Sequence, residues 1–333
     1  MICAIVVCAI AISARIGGRS YTGGEIIGMN ARKCSRFSDN DPRNAAIRIY
    51  VDGKIVPRDQ AKVSVYDSGF MLGDGIWEGI RLHNGKFAFL DEHLDRLFEA
   101  AKAIDLDIRK TKKAIAAALY ETVRANGMAG EAHARLMITR GWKSAPFQDP
   151  RLSLHGPTIV IIAEHRPAPK PANDRGLRLF TTHVHRQMPD AQDPKLNSHS
   201  KLNCVLAMIQ AIKAGADEAL MLDPHGFVNT CNSTNFFIVR KGEVWTSTGD
   251  YCMNGITRRK VIELSGANRI VVRERNFSLT EAYGADEAFI TGTVGGQMAV
   301  VEIDGRTIGS GKPGPMLKKI RTLYSDLVER VCR

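Results

Sequence analysis

Residues 165–175, HRPAPKPANDR, hold three prolines in eleven positions. Proline lacks an amide donor and fixes φ, so neither a helix interior nor a sheet ladder tolerates that density, and the stretch reads as a linker. It separates residues 46–164, read as a smaller domain, from residues 176–333, read as a larger one, with 1–45 left as an N-terminal extension. On the N-terminal side, residues 46–56 (AIRIYVDGKIV) alternate apolar and polar around Asp52-Gly53, which predicts a hairpin. Residues 63–66 and 80–82 read as strands, Asn84-Gly85 as a turn, and 134–139 and 158–163 as further strands. Leu94, Leu97, Phe98, Ala101 and Ile104 recur at helical spacing over 91–104, and a second amphipathic helix is expected over 111–126.

Beyond the linker the spacing predicts a strand at 177–182 and a helix at 202–214 closed by Gly215, which can take the left-handed cap. Strands follow at 219–222, 236–240 and 244–246, around turns at 223–226 and Lys241-Gly242. A helix at 258–264, a strand at 270–274, a helix near 279–283 and a strand at 287–291 come next. Residues 300–303 turn at Asp304-Gly305, and a helix over 315–330 closes the chain. Hairpins mixed with helices, in place of repeated βαβ units, predict an α+β fold.

The 333 residues are 44% hydrophobic and 24% charged, the balance of a globular protein. The net charge of +11 comes from scattered basic residues, with no basic cluster interleaved with aromatics. That argues against a nucleic-acid partner and for attraction of small anionic substrates. Seven cysteines, an odd number at irregular spacing without a C-x-x-C pair, argue against a disulfide framework or structural zinc. Reduced thiols in a cytoplasmic protein are expected, and no metal-ligand spacing occurs. Residues 1–14 (MICAIVVCAIAISA) are apolar but too short to span a bilayer, and no basic stretch precedes them as in a signal peptide. The extension is expected to be disordered or to follow from an over-extended start, and no membrane partner is expected.

Four separated stretches bear on function. Asp67-Ser-Gly69-Phe-Met-Leu-Gly73-Asp74-Gly75-Ile-Trp77-Glu78 is similar to the D-x-G-[FY]-x-x-G-D-G-[VI]-[FY]-E signature of class IV aminotransferases. His93-Leu-Asp-Arg96-Leu97 is similar to the family's H-[LI]-x-R-L, Gly255-Ile256-Thr257-Arg258 to its G-I-T-R, and Thr291-Gly292-Thr293 to its [ST]-G-T. The resemblance, which extends from about residue 47 to 328, covers branched-chain and D-amino-acid transaminases and aminodeoxychorismate lyase. It implies fold type IV: a small α/β domain, a linker, a larger domain, pyridoxal 5'-phosphate (PLP) in the cleft between them, and a homodimer. A phosphate dianion needs fixed positive charge and convergent N–H and hydroxyl donors. The resemblance assigns that cup to Arg96, Ile256, Thr257 and Thr293, with Asn235 also at the cofactor. Read without it, Arg96 is a solvated helix charge and Gly-Ile-Thr a helix cap.

The chain departs from the family pattern at two positions. Counting back from the helix that contains Leu206-Ala207, the position of the family's Schiff-base lysine reads Asn197. Lys195, on the same face if the segment is extended, and Lys201, a turn on if it is helical, are the candidate substitutes. In the family's E-x-x-x-x-N-x-F, the glutamate that keeps the pyridine nitrogen protonated reads Thr230. A hydroxyl cannot stabilise a pyridinium by charge. The resemblance further implies that Arg140, in Thr-Arg-Gly, traps a substrate carboxylate and that Trp77 lines the substrate pocket. The expectation is a protein holding PLP or its amine form (PMP) non-covalently and acting on an amino acid or keto acid. The alternatives are a retired paralogue that binds the ligand without turnover, or a lyase.

Overall fold

The computed structural model describes residues 41–167 and 175–333. Residues 1–40 of the expected extension and 168–174 of the expected linker lie outside the described residues. The first sheet is built from β1 (Arg48–Val51), β2 (Lys54–Pro57), β3 (Gly75–His83), β4 (Lys86–Phe87), β5 (Ala132–Thr139) and β6 (Thr158–His165). Its order is β2-β1-β6-β5-β3-β4, antiparallel throughout. The short helix α1 (Ser68–Leu72) precedes β3, while α2 (Leu90–Ala103) and α3 (Lys112–Ala125) cover one face of the sheet.

The second sheet comprises β7 (Leu177–Thr181), β8 (Glu218–Leu222), β9 (Val228–Cys231), β10 (Asn235–Arg240), β11 (Glu243–Thr246), β12 (Val272–Glu274), β13 (Glu287–Gly292), β14 (Gly296–Ile303) and β15 (Arg306–Thr307). Interspersed are α4 (Pro189–Gln192), α5 (Leu202–Lys213), α6 (Ile256–Ala267), α7 (Leu279–Tyr283) and α8 (Pro315–Val331). Strands β10, β13, β14, β7, β8 and β9 follow one another, and Thr230 of β9 pairs back onto Asn235 of β10, so they close into a ring. Both sheets belong to one compact unit.

The hairpins follow from their turn dipeptides. Asp52-Gly53, Asn84-Gly85, Lys241-Gly242 and Asp304-Gly305 each join two strands by a two-residue loop, and every one of these residues has positive φ. That is the turn whose twist matches paired strands. Alternation then sorts the faces. Ile76, Ile80 and Leu82 of β3 and Ala134, Leu136 and Ile138 of β5 pack with Leu94, Leu97, Ile115 and Leu119 of the helices. The intervening Trp77 and Arg81, and His133 and Arg135, therefore point away from α2 and α3. In the ring, Phe236, Ile238 and Ile290 pack inward with Phe277, while Phe237 stacks on Phe289 at 4.9 Å beneath α6 and α8.

Two stretches differ from expectation. Residues 63–66 are a bend, not a strand: Val63, Val65 and Tyr66 are exposed and the Asp67 amide donates to the Ser64 carbonyl. Their alternation has no neighbouring strand to satisfy it. Ordered structure also begins before residue 46. Pro42–Ala46 form a 3-10 turn whose buried Asn44 donates to the His165 carbonyl (3.0 Å) and accepts from its amide (2.8 Å).

Ile80, fully buried between β3 and the helices, is expected to dominate local stability. Ile80→Ala should cost about 2–5 kcal/mol in urea unfolding. Val331→Ala, at the half-exposed end of α8, should cost under about 0.5 kcal/mol.

Candidate functional site

Arg96 is a buttressed cation. Its Nε and Nη2 donate to the buried Glu78 carboxylate at 2.7 and 2.8 Å, and His93 Nδ1 lies 2.7 Å from the same group. Burial raises the Glu78 carboxyl pKa, but His93 and Arg96 outweigh it and hold the group below the usual range. Arg81 does not pair with Glu78; it faces the other way and donates to the Val294 and Arg166 carbonyls. The remaining Nη1 of Arg96 donates to the Asn254 carbonyl at 3.2 Å, which carries the guanidinium to the start of α6.

Gly255 caps α6 without a side-chain hydrogen bond, so the helix begins with free amides at Ile256 and Thr257, both buried. The Thr257 hydroxyl meets that of Tyr324. Asn235 sets this loop: its Nδ2 donates to the Met253 carbonyl at 2.9 Å, and its Oδ1 packs so closely on Gly255 that a Cβ there would overlap it. Across the ladder Asn235 pairs with Thr291, whose buried Oγ1 has no hydrogen-bond partner. Two residues on, the half-buried Thr293 opens the turn between β13 and β14. Arg96 and Asn235 thus both hold the 253–255 loop that leads into Ile256 and Thr257, with Thr291 paired to Asn235.

The segment before α5 is clamped to β3. The Trp77 amide donates to the Asn197 carbonyl (2.9 Å), the Trp77 indole to the Ser198 carbonyl (3.0 Å), and the His199 amide to Gly75 (2.9 Å). Asn197 is buried and its Oδ1 has no partner. Lys195 sits in an exposed turn, its amide bonded to Asp193. Lys201, the N-cap of α5, folds its side chain back so that Nζ lies 3.3 Å from the Leu196 carbonyl. Burial, with Arg186, Arg135 and Arg96 nearby and only Cys204 opposing, lowers Lys201 to about 8.

Thr230 is buried, and its hydroxyl donates to the Thr234 carbonyl at 2.7 Å. The proton a ring nitrogen would need is therefore already engaged. Nearby, the buried Arg186 donates to the Cys204 thiol (3.3 Å) and the Tyr251 carbonyl (3.4 Å), not to a carboxylate.

Arg140 is not free to trap a substrate carboxylate. Nε and Nη2 hold Asp74 at 2.7 and 3.1 Å, and Nη1 and Nη2 each donate at 2.8 Å to the Asp105 and Ile104 carbonyls. Arg135, not anticipated from sequence, is the exposed guanidinium on the face of the sheet that carries Trp77, 3.9 Å above its ring. Beside it, burial together with Arg166, Arg81 and Arg135 pushes His133 down to about 3, so the imidazole stays neutral at physiological pH. The polar positions 133 and 135 within the alternating AHARLMIT were the available signal. No cluster of metal ligands occurs among the described residues, where the thiols of Cys204, Cys252 and Cys332 are buried outside any disulfide.

The family model for class IV amino-transferases matches residues 75–303. The chain belongs to this family. It is similar to the branched-chain-amino-acid aminotransferase-like protein 2 of Arabidopsis thaliana, 42% identical over 86% of this chain and 51% of that protein. It is similar also to a putative branched-chain-amino-acid aminotransferase of Methanocaldococcus jannaschii, 41% identical over 84% of this chain and 96% of the relative. The chain spans about half the length of the two Arabidopsis relatives it matches. Among solved structures, a T.th. branched-chain amino acid aminotransferase complexed with N-(5'-phosphopyridoxyl)-L-glutamate superposes with a TM-score of 0.79 and 30% identity, covering 86% of this chain and 95% of that one. The branched-chain aminotransferase of Thermoproteus uzoniensis with norvaline gives 0.75 and 32%, over 85% and 95%. The class IV aminotransferase fold, type IV, is thus this chain's fold.

A carboxyl held below its unfolded value stabilises the fold at neutral pH, and that contribution is lost as pH falls through the depressed value. Glu78→Gln is expected to cost about 3 kcal/mol near neutral pH by leaving Arg96 without its buried partner, and less in acid, as urea unfolding at the two pH values would show.

Proposed function

We propose that the protein holds PLP or PMP and moves an amino group between an amino acid and a keto acid, as a branched-chain or D-amino-acid type aminotransferase. The observation that carries this reading is the convergence of Arg96 and the free amides of Ile256 and Thr257 on one loop, with Thr291–Thr293 alongside. Fixed charge and unpaired donors suit a phosphate dianion. The buried, unpartnered Asn197 Oδ1 and Thr291 Oγ1 are also what a polar ligand would satisfy. When bound, the cofactor supplies an electron sink for removal of the α-proton. On the open face, Arg135 receives the substrate carboxylate and Trp77 narrows the pocket beside it. The buried thiols of Cys204, Cys252 and Cys332, outside any disulfide, suit a reducing, cytoplasmic setting.

We further propose a homodimer. Leu202, Val205, Leu206, Ile209 and Ile212 form a continuous stripe on α5, each more than a third exposed. An apolar face of that kind calls for a partner, and a second copy buries it by symmetry.

Thr230 favours a second reading, a protein that binds the ligand without turnover. Its engaged hydroxyl offers the ring nitrogen neither charge nor proton.

Arg96→Ala is expected to weaken PLP binding about 10–100-fold in a fluorescence titration. Arg135→Ala should leave PLP binding unchanged and raise KM for the amino acid about tenfold or more. Conversion of bound PLP to PMP on adding L- or D-amino acids supports the transaminase; binding without conversion supports the second reading. The double variant Leu206→Glu, Ile209→Glu is expected to sediment as a monomer where the wild type sediments as a dimer.

A further inference from the structure

We infer that Lys201, at the head of α5, supplies the amine that the family keeps at the position of Asn197 and that it links covalently to PLP. This rests on the reading that the site holds PLP. Residue 197 is fixed by its bond to Trp77, and its short side chain ends in an unpartnered buried oxygen. Lys201 lies further along, past a stretch that is not helical, but its side chain doubles back until Nζ is 3.3 Å from the carbonyl of Leu196, the residue adjoining Asn197. The amine therefore sits beside the family position although its Cα does not. Lys195 is nearer in sequence but stands exposed in a turn.

The surroundings suit the chemistry. Only an unprotonated amine attacks a carbonyl. Burial and the cations Arg186, Arg135 and Arg96, opposed by Cys204, bring Lys201 to about 8, so a useful fraction is neutral near physiological pH. His199, whose pKa burial and Arg135 lower, stays neutral beside it. In the step, Nζ attacks the aldehyde carbon of PLP and a C=N bond forms. The aldehyde oxygen leaves as water with the two amine protons, and no oxidant or reductant is required.

The test uses the full chain loaded with PLP, reduced with borohydride, and mapped by peptide mass spectrometry. The expected result is a pyridoxyl adduct on Lys201, retained in Lys195→Met and absent in Lys201→Met, with thermal melts showing both variants folded. Phosphate-held PLP in Lys201→Met is expected to dialyse away about tenfold or more faster than in the wild type. An adduct on Lys195 or another lysine overturns the inference, as does wild-type PLP that stays bound through dialysis yet resists reduction. If the wild type retains no PLP at all, the cofactor reading itself falls. Should Lys201→Met fail to fold, the wild-type adduct map alone decides.

Discussion

The short antiparallel bridge between Gly75–Trp77 and residues 197–199 ties the two sheets together at the site. Trp77 contributes twice, through its amide to Asn197 and its indole to Ser198, and the His199 amide closes the bridge onto Gly75. Slippage by one residue would reverse which side chains face the cleft, and the second indole bond forbids it. Gly75 has to be glycine here, because a Cβ would press against the Ile138 carbonyl at 2.7 Å and the His199 ring at 3.2 Å. With residues 197–199 fixed and α5 starting at Leu202, the direction of the Lys201 side chain is set by the backbone on both sides.

Charge is organised around the same place. Glu78 engages Arg96 and Asp74 engages Arg140, so these two guanidiniums are positioned by carboxylates. Arg135 and Arg186 instead rest on an indole ring, a thiol and a backbone carbonyl. Positive charge left without a carboxylate is costly where water is scarce, and an anionic ligand would relieve it. Burial is the main cause of both the depressed Lys201 and the neutral His133, and Arg135 adds to each.

Much of this was legible in the sequence because it is local. Turn dipeptides such as Asp304-Gly305 dictate their own backbone, and α2 spans Leu90–Ala103 where helical spacing placed it at 91–104. What was not legible is non-local. Residues 63–66 alternate like a strand, but strand formation needs a neighbour, which the sequence does not display. Val228–Cys231 is buried on every residue, so it lacks periodicity, and only its pairing with both β8 and β10 makes it a strand. For the site, the motifs named Arg96, Asn235, Ile256 and Thr257, which the structure gathers around the loop that opens α6. They could not show that Asp74 occupies Arg140, since the two are distant in sequence and nothing in Thr-Arg-Gly records the partner.

The two departures from the family pattern differ in kind. A lysine acts through the position of one nitrogen at the end of a long flexible stem, and the folded-back Lys201 brings such a nitrogen to 3.3 Å from the Leu196 carbonyl. Thr230 admits no such substitution. What the family's glutamate contributes is negative charge, which a hydroxyl does not carry. Arg186, which donates to Cys204 and Tyr251, adds positive charge near Lys201. Under the proposed chemistry, link formation at Lys201 needs only a neutral amine and a carbonyl, whereas removal of the α-proton depends on how strongly the ring withdraws electrons. On that reading, Thr230, more than Asn197, is the departure that bears on proton removal.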